Sequence, residues 1–144
     1  QNENDIEKIK KEFYRLREKV KLYAIINDLK YLKASGRLSG TSAAIGGMLK
    51  VKPIVSIVDG KVVNIAKCMG TPKAESFIIN SIKNLDESRP LYLIHSHIPE
   101  KANELYEKNK EKFNKQQEVK VQEISYVVGT HVGAGCYGVV YFEK

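Results

Sequence analysis

A glycine-rich segment near the end of the sequence contains the first side chains that could do chemistry. It reads GTHVGAGCYG from Gly129 to Gly138, with His131 and Thr130 inside it. Three of its glycines fit G-x-G-x-x-G, but a dinucleotide-binding turn needs a helix after it and an acidic residue roughly 20 positions further on. The next residues are the β-type run VVYF, and six residues in all follow Gly138. We therefore expect these glycines to serve another purpose.

The same segment is suited to holding an anion. Glycine permits positive φ, so backbone N–H groups can converge on a carboxylate or phosphate. We expect Gly133 and Gly135 to shape such a site, with Thr130 beside it. His131 adds the side chain that exchanges a proton near neutral pH. The alternative is a tight turn between two strands, with the histidine bonded to the backbone.

A second cationic site is flanked by glycines at GRLSGT, from Gly36 to Thr41. Ser39 or Thr41 can cap the helix that the following small residues predict, and a helix N-terminus carries partial positive charge. Arg37 offers a planar fork that matches carboxylate or phosphate oxygens. The alternative is a surface arginine in a capping loop. Two such sites in one small chain favour anion binding.

His95 and His97 form a third candidate at the end of a predicted strand. Positions i and i+2 of a strand share a face, so two imidazoles could bind one metal ion. No acidic or cysteine residue has a suitable spacing to complete the site, and we expect no metal. The sequence also lacks a Ser-His-Asp order, a nucleophile elbow and a P-loop, so hydrolase and NTPase functions have no support.

Composition describes an ordinary single domain of 144 residues, with 42% hydrophobic residues and a net charge of +7. Lysines alternate with glutamates, which is typical of solvated helix faces, and we expect no nucleic-acid binding. Cys68 and Cys136 show neither a disulfide framework nor zinc spacing, which indicates a cytoplasmic protein. No apolar run reaches the roughly 20 residues of a membrane span, and we expect no transmembrane segment.

The elements that must position these residues follow from periodicity. Apolar spacing of three and four predicts an amphipathic helix from Ile6 to Val20, and its position indicates a cut at a domain boundary. Asp59-Gly60 predicts a type I′ hairpin, and Thr71-Pro72 and Pro99 each open a helix. Further strands are predicted at 22–26, 91–94, 119–121 and 138–142. This order predicts an α/β two-layer sandwich, a mixed sheet with helices mainly on one face.

Three blocks in this order resemble the DegV family: NDLKYLKASGRLSGTSAAIGGMLKVKPIVSIVDGKV at 27–62, IHSHIPEKANELYEK at 94–108 and GTHVGAGCYGVVYF at 129–142. The resemblance implies a bacterial two-domain protein of EDD fold that binds a long-chain fatty acid between its domains. Residues 1–144 resemble the C-terminal domain, a single domain. The N-terminal domain, with the Ser and Thr residues that grip the carboxylate, is then absent.

The resemblance also implies a function. Some members of the family are the fatty-acid-binding subunits of fatty acid kinase, which present the carboxylate to an ATP-using kinase subunit for acyl-phosphate formation. His131 resembles the family's histidine at the carboxylate, and Arg37 its arginine at the pocket mouth. The helix predicted over 42–49 would line the acyl tunnel, with Ile45 and Met48 touching the tail. Such a protein is a carrier without catalytic residues or a cofactor.

Two alternatives of other classes stay open. The glycine segment and Arg37 would also suit an enzyme that acts on a phosphorylated small molecule. The lysine-rich surface would suit a regulatory or interaction domain that meets an acidic partner protein.

Overall fold

The computed structural model describes residues 3–36, 38–39 and 50–144. Five α-helices and one 3-10 turn lie in these ranges: α1 Glu3–Lys19, α2 Lys30–Ala34, α3 Thr71–Ser81, α4 Pro99–Glu107, the turn Lys110–Lys112 and α5 Tyr126–Val132. The strands are β1 Val20–Ile25, β2 Leu38–Ser39, β3 Val51–Val58, β4 Lys61–Met69, β5 Leu91–His95, β6 Val119–Glu123 and β7 Tyr137–Phe142. Arg37, Ile45 and Met48 lie outside the described residues.

The seven strands of the described ranges form one sheet in the order β2-β4-β3-β1-β7-β5-β6. The two outermost pairs, β2 with β4 and β5 with β6, are parallel, and the inner pairs are antiparallel. The predicted mixed sheet is therefore confirmed. It places β1 in the middle of the order, between β3 and β7.

Side chains alternate between the two faces of the sheet along each strand, and the core therefore forms two clusters, one on each face. One face of the sheet packs against α3 and α4 and buries Ile25, Ile78, Leu93, Leu105 and Tyr141 among others. The opposite face carries the short helices α2 and α5 over a smaller cluster. The longer covering helices thus share one face, as predicted. No helix in the described ranges combines the length and apolar character that crossing a bilayer requires.

Local signals account for most element boundaries. The hairpin between β3 and β4 turns at Asp59 and Gly60, whose φ angles of 50° and 74° are those of a type I′ turn. Thr71 and Pro72 are the first two residues of α3, as predicted, and Gly70 precedes the helix at the N-cap position with φ 81°. α4 ends at Glu107, and Phe113 follows the 3-10 turn.

The clearest departure from the sequence prediction is α5. A tight turn between two strands is one prediction for the glycine-rich segment, whereas its first four residues, Gly129 to Val132, complete a helix that begins at Tyr126. The Ser125 hydroxyl caps this helix by accepting from the N–H of Val128 at 3.4 Å. Burial of Val132 against the second face of the sheet holds the helix in place despite its interior glycine. Gly133, with φ 74°, ends it.

Candidate functional site

The candidate site lies at one end of the central strands of the sheet, where β1 ends and β7 begins. Ile25 is the register partner of Tyr137, so the segments that follow β1 and precede β7 meet there. These segments are the loop 26–29 with α2, and α5 with the turn 133–136. The two short helices contact each other. Residues far apart in the chain therefore converge at this end of the central strands, on the second face of the sheet.

His131 occupies the last turn of α5, beside the turn 133–136. Its Nδ1 atom is buried and has no hydrogen-bond partner among the described residues. A buried polar atom left unsatisfied costs about 1–3 kcal/mol. An oxygen of a bound carboxylate at Nδ1 would remove that cost when this nitrogen carries a proton. Among the residues predicted to bind an anion, His131 is thus the one whose described surroundings call for a ligand. The Nδ1 atom of His95, at the end of β5, is likewise buried without a partner in the described ranges.

Gly133 and Gly135 make the sharp turn between α5 and β7, with φ angles of 74° and 85°. The N–H of Gly133 donates to the carbonyl of Gly129 at 2.8 Å, and that of Gly135 to the carbonyl of Ser96 at 3.1 Å. Both donors are thus engaged within the protein. The two glycines provide the positive φ angles that the turn requires. Their contact with an anion stays a prediction.

Thr130 makes a local contact instead of facing an open site. Its hydroxyl donates to the carbonyl of Val127 at 2.8 Å, within α5, and the residue is exposed. Its predicted contact with an anion would need this hydroxyl to rotate away from the helix backbone.

Close packing by α2 and its leading loop holds the turn in position. A Cβ atom built on Gly133 would stand 2.6 Å from Cε2 of Tyr31, and one on Gly135 would stand 3.3 Å from Cβ of Asn27. The Oδ1 atom of Asn27 in turn accepts from Nζ of Lys52 at 2.8 Å. An ammonium group therefore lies next to this turn. Lys52 could not be predicted from the sequence, because β3 is distant from this turn along the chain.

A backbone clamp joins the turn to the end of β5. The N–H of Ser96 donates to the carbonyl of Cys136 at 2.8 Å, while the carbonyl of Ser96 accepts from Gly135. These two bonds fix both ends of the Gly135–Cys136 unit against one residue. The turn is thus held by α2 on one side and by Ser96 on the other.

An apolar groove runs over the second face of the sheet beneath α5. Its volume is about 80 Å³, and its lining contains no charged side chain. The lining residues come from β1, β3, β4, β5, α5 and connecting segments: Leu22, Ala24, Ile26, Val55, Ser56, Ile57, Val62, Ile94, Ile124, Val128, Val132 and Cys136. Burial raises the pKa of the Cys136 thiol to about 12, so this side chain is a neutral, unreactive part of the wall. The groove and His131 share α5, which lines the groove with Val128 and Val132.

Sequence reasoning missed nearly all of the groove. The alternation of Leu22 and Ala24 along β1, continued by Ile26 directly after the strand, could have indicated a second buried face, because alternate side chains of a strand share a side. The segment 42–49, which the sequence predicts to line an acyl tunnel, lies outside the described residues. Arg37 does so too, and its position relative to His131 stays a prediction.

His95 and His97 would share a face only if β5 continued to position 97, and it does not. The strand ends at His95, and His97 adopts a positive φ of 60°. His95 is buried, whereas His97 is exposed and lies 3.0 Å from a carboxylate oxygen of Glu123. In the described part of the chain, no three His, Cys, Asp or Glu side chains are grouped as metal ligands.

Comparison with known proteins gives matches along the whole chain. The sequence profile of the DegV family, described as uncharacterised protein, matches residues 1–144. A DegV domain-containing protein of Staphylococcus aureus (strain N315) is 32% identical over 133 residues, which is 90% of this chain and 46% of that protein. The chain therefore spans about half the length of the curated relatives it matches.

Solved structures share the fold, among them two that are described as fatty acid binding or fatty acid kinase proteins. The fatty acid binding DegV family protein of Streptococcus agalactiae superposes with a TM-score of 0.83 at 28% identity, over 96% of this chain and 50% of that chain. The fatty acid kinase (Fak) B3 protein of Streptococcus pneumoniae, loaded with linoleic acid, gives a TM-score of 0.78 at 19% identity, over 95% of this chain and 49% of that chain. From the profile match over its whole length and the relatives of the same family, this chain belongs to the DegV family.

Proposed function

We propose that this chain binds the acyl chain of a long-chain fatty acid in the groove beneath α5 and holds the carboxylate beside His131. One observation carries the proposal: an apolar groove and a buried, unpartnered imidazole nitrogen share one short helix. The solved relative from Streptococcus agalactiae is a fatty acid binding protein, which supports the same ligand class.

The energetics suit this ligand. Burial of the chain supplies most of the affinity, at about 0.8 kcal/mol for each CH₂ group removed from water. A carboxylate that leaves water needs several donors, or it takes up a proton instead. His131 is one donor, and Arg37 is the second that we propose. An enzyme for phosphorylated molecules would need a polar pocket, and the described groove is apolar.

The described groove is small for a complete ligand. Its volume of about 80 Å³ is below the roughly 300–1,000 Å³ of ordinary ligand pockets. We therefore propose that the half of the relatives which this chain does not span, an N-terminal domain, completes the site. The chain alone would then hold fatty acid weakly.

The finer part of the proposal concerns what happens to the ligand. We propose a cytoplasmic carrier that presents the carboxylate to an ATP-using kinase subunit, which forms the acyl phosphate. Support comes from the fold shared with the Fak B3 protein and from the two unpaired thiols, Cys68 and Cys136. On this view His131 orients the carboxylate and performs no bond-making step, and no cofactor is required.

The test is fatty acid binding by the natural polypeptide and two histidine variants. His131→Ala removes the proposed donor, and loss of a hydrogen bond to a charged group, about 1.5–3 kcal/mol, predicts roughly 10- to 150-fold weaker binding. His97→Ala is the matched control, since this exposed histidine lies outside the groove lining. Native mass spectrometry and lipid extraction would report the ligand. Equal binding by both variants, or no acyl chain bound by any of them, would refute the proposal.

A further inference from the structure

A buried polar cluster lies on the face of the sheet opposite to the groove. Tyr137 at the start of β7, His95 at the end of β5 and Glu75 of α3 are 5%, 7% and 8% exposed. Tyr137 and His95 are register partners on antiparallel strands, so their side chains lie next to each other on one face. The Tyr137 hydroxyl donates to Oε1 of Glu75 at 2.9 Å. We refer to these three residues as the buried polar cluster, and the proposed function gives it no role.

The Glu75 carboxylate depends on its bonding partners, because an ionised group removed from water is costly unless donors surround it. Besides the Tyr137 hydroxyl, Nζ of Lys108 lies 3.7 Å from Oε2. Burial and the carboxylate raise the pKa of Tyr137 well above its usual range, so the hydroxyl keeps its proton and stays a donor. Lys108 is largely exposed beside the end of α4, which makes Tyr137 the buried one of these two partners.

The bond between Glu75 and Tyr137 joins two parts of this face that different helices cover. α3 packs mainly on β3, β4 and β1, whereas α4 packs on β5, β6 and β7. Glu75 therefore reaches from α3 to a strand that α4 covers. It bonds the first residue of that strand, directly after the glycine turn.

The cluster flanks the clamp that holds this turn. Cys136, whose carbonyl accepts from the N–H of Ser96, directly precedes Tyr137. Ser96 in turn directly follows His95. The two backbone bonds of the clamp and the bond to Glu75 thus act on adjacent residues. Through residues 133–136, this region is continuous with the end of α5 and with His131.

Direct binding of a ligand does not explain the cluster. The groove lies on the other side of the sheet, and neither Tyr137 nor Glu75 lines it. His95 and Glu75 are of metal-binding types, but in the ranges that the structure describes no three His, Cys, Asp or Glu side chains are grouped. The connection to the glycine turn gives the cluster a role that requires no contact with the ligand.

We propose that Tyr137 and Glu75 are positioning residues, which hold the turn 133–136 and thereby keep His131 in place for the carboxylate. The inference rests on the proposed function, since it concerns the same ligand. Loss of the bond would leave the start of β7 free to move, so only a fraction of the molecules would have the turn in its binding position. The apparent affinity falls in proportion to that fraction.

Fatty acid titration of the natural polypeptide and two tyrosine variants tests this role. Tyr137→Phe should weaken binding about three- to tenfold, since it removes the bond and retains the ring. Tyr141→Phe is the matched control, because it removes a buried hydroxyl from the same face of β7 at the end far from the turn. Both variants should unfold at similar urea concentrations, because each loses one buried tyrosine hydroxyl.

Substitutions of Glu75 supply a second measurement. Glu75→Gln keeps an acceptor oxygen for the Tyr137 hydroxyl and should bind fatty acid within about twofold of the unsubstituted protein. Glu75→Leu has no acceptor and should bind as weakly as Tyr137→Phe. The double variant Tyr137→Phe with Glu75→Leu should be no weaker than either single one, because both substitutions break the same bond.

The NMR signal of the His131 Cε1–H group, assigned by its loss in His131→Ala, reports the position of the imidazole without a ligand. Tyr137→Phe should shift this signal in the fatty-acid-free protein, and Tyr141→Phe should not. An unshifted signal in Tyr137→Phe, or equal loss of binding in the two tyrosine variants, would overturn the inference. So would a Glu75→Gln variant that binds as weakly as Glu75→Leu. A shifted signal in a polypeptide that binds no fatty acid would refute the proposed function alone.

Discussion

The ring of Tyr31 lies directly against Gly133, in the space that any side chain at position 133 would need. A Cβ atom there would stand 2.6 Å from Cε2 of the ring. The contact joins α2 to the end of α5, and it places the backbone that follows His131. The position of the candidate carboxylate donor therefore depends on a glycine that has no side chain of its own.

Replacing Gly133 by alanine should destabilise the domain and disturb the site. Its φ of 74° with ψ of 176° suits glycine almost alone, and such strain costs about 1–3 kcal/mol. Urea unfolding should therefore show a lower free energy of unfolding. Gly129→Ala is the control from the same helix, because nothing lies within 4 Å of its Cβ position. Alanine there should stabilise the domain by about 0.5–1 kcal/mol. Equal effects of the two substitutions would contradict the described turn.

Gly138 should tolerate no side chain at all. A Cβ atom on this residue would overlap the carbonyl oxygen of Tyr23 and stand 2.6 Å from Cα of Ala24, both in the backbone of β1. Backbone of a central strand cannot move aside as a side chain can. We expect Gly138→Ala to cost at least the roughly 1–3 kcal/mol of ordinary overpacking, measured by thermal unfolding. An unchanged melting temperature would show that β7 and β1 are not as close as described.

Two neighbouring valines of α5 should differ in their effect on ligand binding. Val128 lines the groove, whereas Val127 is 72% exposed and does not. Val128→Glu should displace the acyl chain, and losing about two methylene contacts at ~0.8 kcal/mol each weakens binding by roughly tenfold. Val127→Glu adds the same charge one residue away and should bind as the unsubstituted protein does. Fluorescent fatty acid titration would measure both, and similar losses would argue against this groove.

The buried thiol of Cys136 predicts a loss of stability in mild alkali. Burial raises its pKa from 9.0 to about 12. Between these values the unfolded chain has lost the proton that the folded chain keeps. The free energy of unfolding should therefore fall by about 1.4 kcal/mol for each pH unit above 9, whereas below pH 9 the thiol contributes no slope.

Urea unfolding between pH 8 and pH 10 would test this dependence on the thiol. Cys136→Ala should remove the slope, and Cys68→Ala, at a half-buried position, should keep it. The window stops near pH 10 because burial also raises the pKa of Tyr141 to about 12, which adds a slope of its own above that pH. The same slope in both variants would exclude Cys136 as its source.

Elements with local causes were predictable. The type I′ hairpin at Asp59 and Gly60 follows from two residues that accept positive φ, and the helix α1 follows from apolar spacing. α5 was not predictable in this way, because its glycine and short length are unfavourable for an isolated helix. Packing of Val132 on the sheet outweighs that local preference.

The sequence by itself determined the chemistry that His131 and its glycines offer, because an imidazole and the backbone freedom of glycine are the same wherever the residues lie. Only the tertiary structure decided how they are used. The N–H groups expected to bind an anion are bonded to Gly129 and Ser96 instead, and the groove is assembled from strands distant along the chain. The physical reason is range: φ preferences and helix periodicity act over a few residues, whereas burial and the pairing of backbone donors depend on neighbours that folding alone brings together.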